Sequence, residues 1–321
     1  MAARLAFAGL LVAGGCGVVD RRADAREEQA ERAFPPIGSF VEVAGRRVHY
    51  IQAGSGPDLV LLHGASANLR EFTFRFIDMV KDRYRVTAFD RPGLGYTDVK
   101  STFADAWENQ GEPPQSQAAL LSEAAEKIGV SNPIVLGHSY GGAVALAWGI
   151  EHDPAALVVV SGASQPWEGE LGPFYSVNGS RVGGTVAVPL ISAFVTPAMV
   201  KSRVADVFRP QDAPNGYLDY IGTPLVLRRV SFRANIRQVN TLRPQVVAMS
   251  KYYPDITIPV EIVHGTADDI VPLDVHAEPL ARQLPNARLT RLEGIGHMPH
   301  QVARGEVVAA IDRAAERAGL R

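Results

Sequence analysis

A serine acts as a nucleophile only when a base takes its proton and a third group orients that base. In this 321-residue chain the serine best placed for such help is Ser139, in Gly137-His138-Ser139-Tyr140-Gly141, a G-x-S-x-G pattern. An apolar run, Pro133 to Leu136, precedes it and an alanine-rich run, Gly141 to His152, follows. Small residues on both sides allow a sharp strand-to-helix turn that exposes the hydroxyl oxygen. The helix after it would aim its N-terminus at the site, with the Tyr140 N–H facing a developing oxyanion. A glycine-rich turn with an incidental serine has the same letters, so the reading depends on that strand and helix.

The base and the acid are expected downstream. Gly294-Ile295-Gly296-His297-Met298-Pro299-His300 follows the last apolar run, and His297 sits in a glycine loop from which an imidazole can reach across strand ends. His300 is expected to begin the final helical segment, so His297 is the preferred base. The run Ile258 to Val263 leads into His264-Gly265-Thr266-Ala267-Asp268-Asp269, two carboxylates just past a strand end. Either could accept the imidazole N–H, and the other would only cap a turn.

These residues need a scaffold that brings strand ends together. Phe40 to Val43 and Arg47 to Gln52 flank Ala44-Gly45-Arg46 and read as a hairpin. Strands are then expected at Asp58 to Leu62, Arg85 to Phe89, Pro133 to Leu136, Ala156 to Val160, Ile258 to Val263 and Ala287 to Leu292. Helices are expected at Leu69 to Lys81, Gln115 to Ile128, Gly141 to His152, Leu273 to Gln283 and Gly305 to Ala318. This alternation predicts an α/β fold: a mostly parallel central sheet with helices on both faces. Residues 165–253 break the rhythm with many Pro, Gly and Arg residues and suggest short helices, among them Pro197 to Phe208 and Leu225 to Asn235. The core is therefore 37–164 and 254–321, with a helical cap inserted after the sixth strand, where such folds place their sites.

With Ser139, Asp268 or Asp269, and His297 in that chain order, the sequence resembles the lidded α/β-hydrolase superfamily from about Ile37 to the C-terminus, the cap excepted. Leu61-Leu62-His63-Gly64-Ala65, Asp90-Arg91-Pro92-Gly93-Leu94-Gly95-Tyr96-Thr97 and Gly296-His297 carry the resemblance. It implies Asp268 as the acid, three positions after the glycine of His264-Gly265, and the Ala65 N–H as the second oxyanion donor beside Tyr140. It implies a serine hydrolase acting on a carboxylic ester or related acyl bond, with no metal and no organic cofactor. Dehalogenases and epoxide hydrolases of the superfamily carry Asp at the elbow, against which Ser139 argues. A perhydrolase, a carbon–carbon bond hydrolase, lyase-type chemistry and a ligand-binding protein without turnover are the alternatives the resemblance leaves.

Other residues have plainer readings. Asp90-Arg91-Pro92-Gly93 reads as a turn, and the resemblance implies that Asp90 to Thr97 shapes the wall of the site. Trp148 and Trp167 read as packing residues. Phe174, Tyr175, Phe194, Phe208, Tyr217, Tyr220, Tyr252 and Tyr253 could line a cap pocket or simply pack it. Arg228, Arg229, Arg233 and Arg237 read as a solvated helix face, with recognition of an anionic group or lipid headgroup as the alternative.

Lys+Arg 32 against Asp+Glu 34 leaves a net charge of −2, which offers no basic excess for nucleic acid. The single cysteine, Cys16, excludes an intrachain disulfide and a cysteine-based zinc site. Residues 1–16 have one positive charge, an apolar run from Leu5 to Ala13 and small residues before Cys16, the shape of a signal peptide resembling a bacterial lipobox, with Ala13 where a leucine is usual. Residues 17–36 then read as a tether, and the chain as exported or membrane-anchored through Cys16; a cytoplasmic chain is the alternative.

Overall fold

The computed structural model describes the backbone of residues 2–321 and the side chains of residues 17–321. The cleavage and acylation expected at Cys16 lie outside the described side chains. Eight strands form one sheet: β1 (Ser39–Val43), β2 (Arg46–Ala53), β3 (Asp58–Leu62), β4 (Arg85–Phe89), β5 (Ile134–His138), β6 (Ala156–Val160), β7 (Val260–Gly265) and β8 (Ala287–Leu292). Their order is β1-β2-β4-β3-β5-β6-β7-β8. β1 and β2 form the antiparallel hairpin and β2 pairs antiparallel with β4, while every pair from β4 to β8 is parallel.

The central strands are buried on both faces, as a parallel sheet between helices must be. In β3, Val60 and Leu62 enter one apolar layer and Leu59 and Leu61 the other. The first layer is closed by Pro114–Lys127, Tyr140–Glu151 and Leu242–Met249, the second by the final helix Arg304–Arg317. Truncating Leu61 to alanine would cost about 2–5 kcal/mol, the usual range for a buried leucine.

Two expected helices are reshaped. The stretch expected as a helix over Leu69 to Lys81 is helical only at Arg70–Thr73 and Ile77–Met79, with Arg75 at φ +68° between them. Phe72 and Phe76 go under the sheet while Phe74 points to the cap, and one continuous helix could not divide them so. The helix expected over Leu225 to Asn235 is broken into Thr223–Val226 and Arg229–Asn240, with Arg228 extended between them.

Helices fill the interval between β6 and β7 and lie over the carboxyl ends of the strands, tied to the core by named contacts. Asn68 Nδ2 donates to Ile221 O at 2.8 Å, and Gln238 Nε2 to Pro92 O at 2.8 Å. The stretch 17–36, expected as a tether, is helical through Ala33 as part of Ala2–Ala33. Ala23 and Ala30 are buried on its inner face, where their small side chains let it lie close to the cap.

Candidate active site

Ser139 occupies the turn between β5 and Tyr140–Glu151 with φ +54°, a strained conformation for a residue with a side chain. The glycines around it have steric reasons. A Cβ at Gly137 would lie 2.1 Å from Gly141 O, and one at Gly141 2.2 Å from Leu62 O. The turn is therefore wedged between β3 and its own helix. Its strain is held by the Ser139 N–H donating to Val160 O and by Ser139 O accepting from Ala163 N.

His297 and Asp268 meet this serine. The Ser139 hydroxyl is 2.9 Å from His297 Nε2, and His297 Nδ1 is 2.8 Å from Asp268 Oδ2. An ionised carboxylate only accepts, so Nδ1 carries the proton and Nε2 is free to take the hydroxyl's. Asp268 Oδ1 accepts from the N–H groups of Ile270 and Val271, which fixes its rotamer. Asp269 is exposed, so of the two carboxylates the geometry brings only Asp268 to the imidazole. Burial would raise the Asp268 pKa, but His297 and His264 beside it outweigh that and hold it well below the usual carboxylate range. Burial dominates at His297 and lowers its pKa, against the pull of Asp268.

The loop after β3 lies against the serine: a Cβ on Gly64 would come within 3.1 Å of Ser139 Cβ. Ala65 follows, and the Ser66 N–H is taken by Asn235 Oδ1 of the cap at 2.6 Å, with Asn235 Nδ2 returning a bond to Ser66 Oγ. Among the described residues the N–H groups of Ala65 and Tyr140 have no protein acceptor. Tyr140 opens its helix, where the first N–H groups have no intrahelical partner.

Arg91, read from sequence as part of a wall turn, is fully buried and connects both donors. It donates to His63 O at 2.8 Å and Gly64 O at 3.0 Å, and its guanidinium lies 4.3 Å from the Tyr140 ring centroid. Gln117 Oε1 and Gln238 Oε1 accept from its Nη1. Burial lowers its pKa to about 10, still charged at neutral pH. Asp90 beside it accepts from the Leu69 and Tyr96 N–H groups and contacts His49 Nδ1 at 2.6 Å. The sequence signal for these roles was only the Asp90-Arg91-Pro92-Gly93 string, and nothing in it marked Asn235 or Gln238.

Behind the serine, His138 Nε2 donates to His297 O at 2.9 Å, and its Nδ1 lies 3.0 Å from Glu71 Oε1. His300 does not begin the final helix. It sits in the separate turn Pro299–Val302, with Nε2 2.9 Å from the same Glu71 oxygen. In both contacts the ring N–H and the carboxylate oxygen are poorly aligned for a hydrogen bond. Glu71 overcomes burial to raise the His138 pKa, while burial and His138 lower that of His300 to about 4. The Glu71 carboxylate thus favours the protonated form of His138 within this buried group of Glu71, His138 and His300. Its three ligand atoms lie within 4.8 Å of one another, making it the trio among the described residues that could hold a metal ion.

The cap arginines are not a solvated face. Arg237 is buried and donates to Asp105 O and Ala106 O, and Arg233 to Gly184 O. Arg229 binds Glu27 at 2.7 Å and Asp20 at 3.3 Å and also meets Asp24, while Arg228 pairs with Glu31 at 2.9 Å. The acidic face of the N-terminal helix supplies these partners, a match that neither segment reveals alone. Trp148 is core and Trp167 packs against it. Phe208 and Tyr217 are buried with Phe74 and Met298, whereas Phe174, Phe194, Tyr220 and Tyr252 are exposed, so the cap aromatics do not form one pocket. A cleft of about 1040 Å³ whose lining does not include Ser139 lies between the N-terminal helix, the hairpin and residues 93–101.

Residues 59–311 match the family model described as Alpha/beta hydrolase family. The chain belongs to the alpha/beta hydrolase family. Hydrolysis is the reaction class that this membership supports. The chain is 29% identical over 285 residues to the magnesium-chelatase 30 kDa subunit of Rhodobacter capsulatus, covering 87% of this chain and 91% of that one. Among solved structures it is similar to a thermophilic esterase from Thermogutta terrifontis, with TM-score 0.68, 18% identity, and 88% and 99% of the two chains covered. It is also similar to an esterase from Exiguobacterium antarcticum, with TM-score 0.65, 20% identity, and 87% and 99% covered.

Proposed function

We propose that this hydrolase cleaves a carboxylic ester or related acyl bond through an acyl-enzyme on Ser139. The observation that carries the reading is the unbroken line Ser139 Oγ, His297, Asp268, with contacts of 2.9 and 2.8 Å, at a strained elbow. His297 Nε2 takes the hydroxyl proton as Oγ attacks the carbonyl carbon. Asp268 holds the imidazole and stabilises the imidazolium that results. The Ala65 and Tyr140 N–H groups receive the oxyanion, and the dipole of Tyr140–Glu151 adds to them. Collapse expels the alcohol, which takes its proton from His297. Water, activated by the same imidazole, then releases the acid and restores Ser139.

The low pKa of His297 keeps it a free base near neutral pH, the state the first step requires. The apolar run Leu5 to Ala13 and the small residues before Cys16 support an exported chain held at a membrane. The test is hydrolysis of a short-chain p-nitrophenyl ester by the full chain beside its Ser139→Ala and His297→Ala variants. Turnover in either folded variant should fall by roughly 10⁴-fold or more. Activity retained in either one overturns the assignment.

A further inference from the structure

Part of the cap turns its apolar side chains outward. Val182, Val186, Leu190 and Phe194 recur every fourth residue through Gly183–Ala187 and Val188–Phe194, and they are between 43% and 62% exposed. Recurrence at four aligns them on one side of the helix, while Val188, Ser192 and Ala193 are buried on the other. Met199 on the next helix, Pro197–Phe208, and Val18 on the N-terminal helix are exposed as well. A contiguous apolar stripe of this kind marks a contact surface.

Two further observations say what covers it. The N-terminal helix lies against the stripe's end: Arg22 and Arg26 donate to Ala193 O, Arg26 also to Val195 O, and the Arg22 guanidinium sits 4.9 Å from the Phe194 ring centroid. The same helix carries the uncharged run from Leu5 to Val19, so the most apolar segment of the chain belongs to the element packed beside the stripe. Exposed cations lie close by. Arg21, Arg181, Lys201 and Arg203 are exposed, with Asp206 near Arg203 at 3.6 Å, whereas Asp20, Asp24 and Glu27 are turned to Arg229.

We propose that this cap face, with its cationic rim, docks on a bilayer carrying anionic headgroups and holds the cap against the membrane. The stripe would enter the interface and the rim would meet the headgroups, as an amphipathic surface helix does. This adds a second contact to whatever the N-terminal segment provides, and it does not depend on the reaction assigned to Ser139.

The test is cosedimentation of the full chain with phosphatidylcholine vesicles, with and without phosphatidylglycerol. The Leu10→Asp/Leu11→Asp variant removes the N-terminal contribution. It should still bind the anionic vesicles, and more weakly in high salt or on phosphatidylcholine alone. Adding Val186→Ser, Leu190→Ser and Phe194→Ser should weaken that binding at least tenfold, and adding Lys201→Glu and Arg203→Glu instead should weaken it several-fold. Circular dichroism confirms that each variant is folded. Complete loss of binding in Leu10→Asp/Leu11→Asp, or no further change on altering the cap, overturns the proposal. A dimer in solution that only the three serine substitutions dissociate also overturns it and makes the face a self-association surface.

Discussion

At the carboxyl end of the sheet the polar groups are buried or half-buried, and partners from several elements fix them. Ser139, His297 and Asp268 come from three different loops, and the surrounding backbone sets each one. The N-terminal helix meets the cap through partly exposed ion pairs, in which Arg229 alone gathers Asp20, Asp24 and Glu27. In the first region one atom out of place would break the proposed line of proton transfer, so substitutions should change rate. In the second, three carboxylates share one cation and solvent screens them, so substitutions should change stability slightly and chemistry little.

The sharpest way to break this contrast is between two adjacent carboxylates. Asp268→Asn should lower kcat by roughly 10⁴-fold, since an amide at this point favours the wrong tautomer of His297. Asp269→Asn, at an exposed side chain, should stay within a few-fold. Equal losses in the two variants would remove the distinction. Arg91→Lys comes next: a lysine cannot hold His63 O and Gly64 O together while facing the Tyr140 ring. Both oxyanion donors should loosen, and kcat should fall by roughly 10²-fold, comparable with losing one such donor, with little change in KM. A loss confined to KM would assign Arg91 to substrate binding.

The pH profile sharpens the comparison further. Burial lowers the His297 pKa below 6.5, so the neutral base persists at neutral pH and is lost on acidification through that lower value. The acid limb of kcat/KM should therefore be centred below pH 6.5, and a midpoint above it contradicts the geometry. The smallest effect is expected in the second region. Arg229→Ala should cost about 1 kcal/mol or less in denaturant unfolding and leave ester turnover within a few-fold, because two of its three partners are more than half exposed.

Some of this could be read in the sequence because backbone sterics impose it. Gly137 and Gly141 flank Ser139 because a Cβ at either would strike backbone, and that need is local to five residues. Strands β4, β6 and β8 fall on their expected residues because short apolar runs between turn residues have few other solutions. Contacts between distant segments left no such trace. Arg228 and Arg229 look like a solvated face until the acidic helix packs on them, and Asn235 becomes a latch only when the cap brings it to Ser66. Glu71 lay in a stretch expected to be one helix, whose break at Arg75 follows from sending Phe74 to the cap. No short window contains those partners.

The proposed chemistry requires Ser139 to be an activated nucleophile. The most direct measurement is intact-mass analysis of the full chain after reaction with a fluorophosphonate, followed by peptide mapping of the adduct. One adduct per chain is expected, on the peptide containing Ser139, formed in wild type and absent in Ser139→Ala and in His297→Ala. No adduct on the folded protein, or an adduct on another residue that persists in Ser139→Ala, would contradict it.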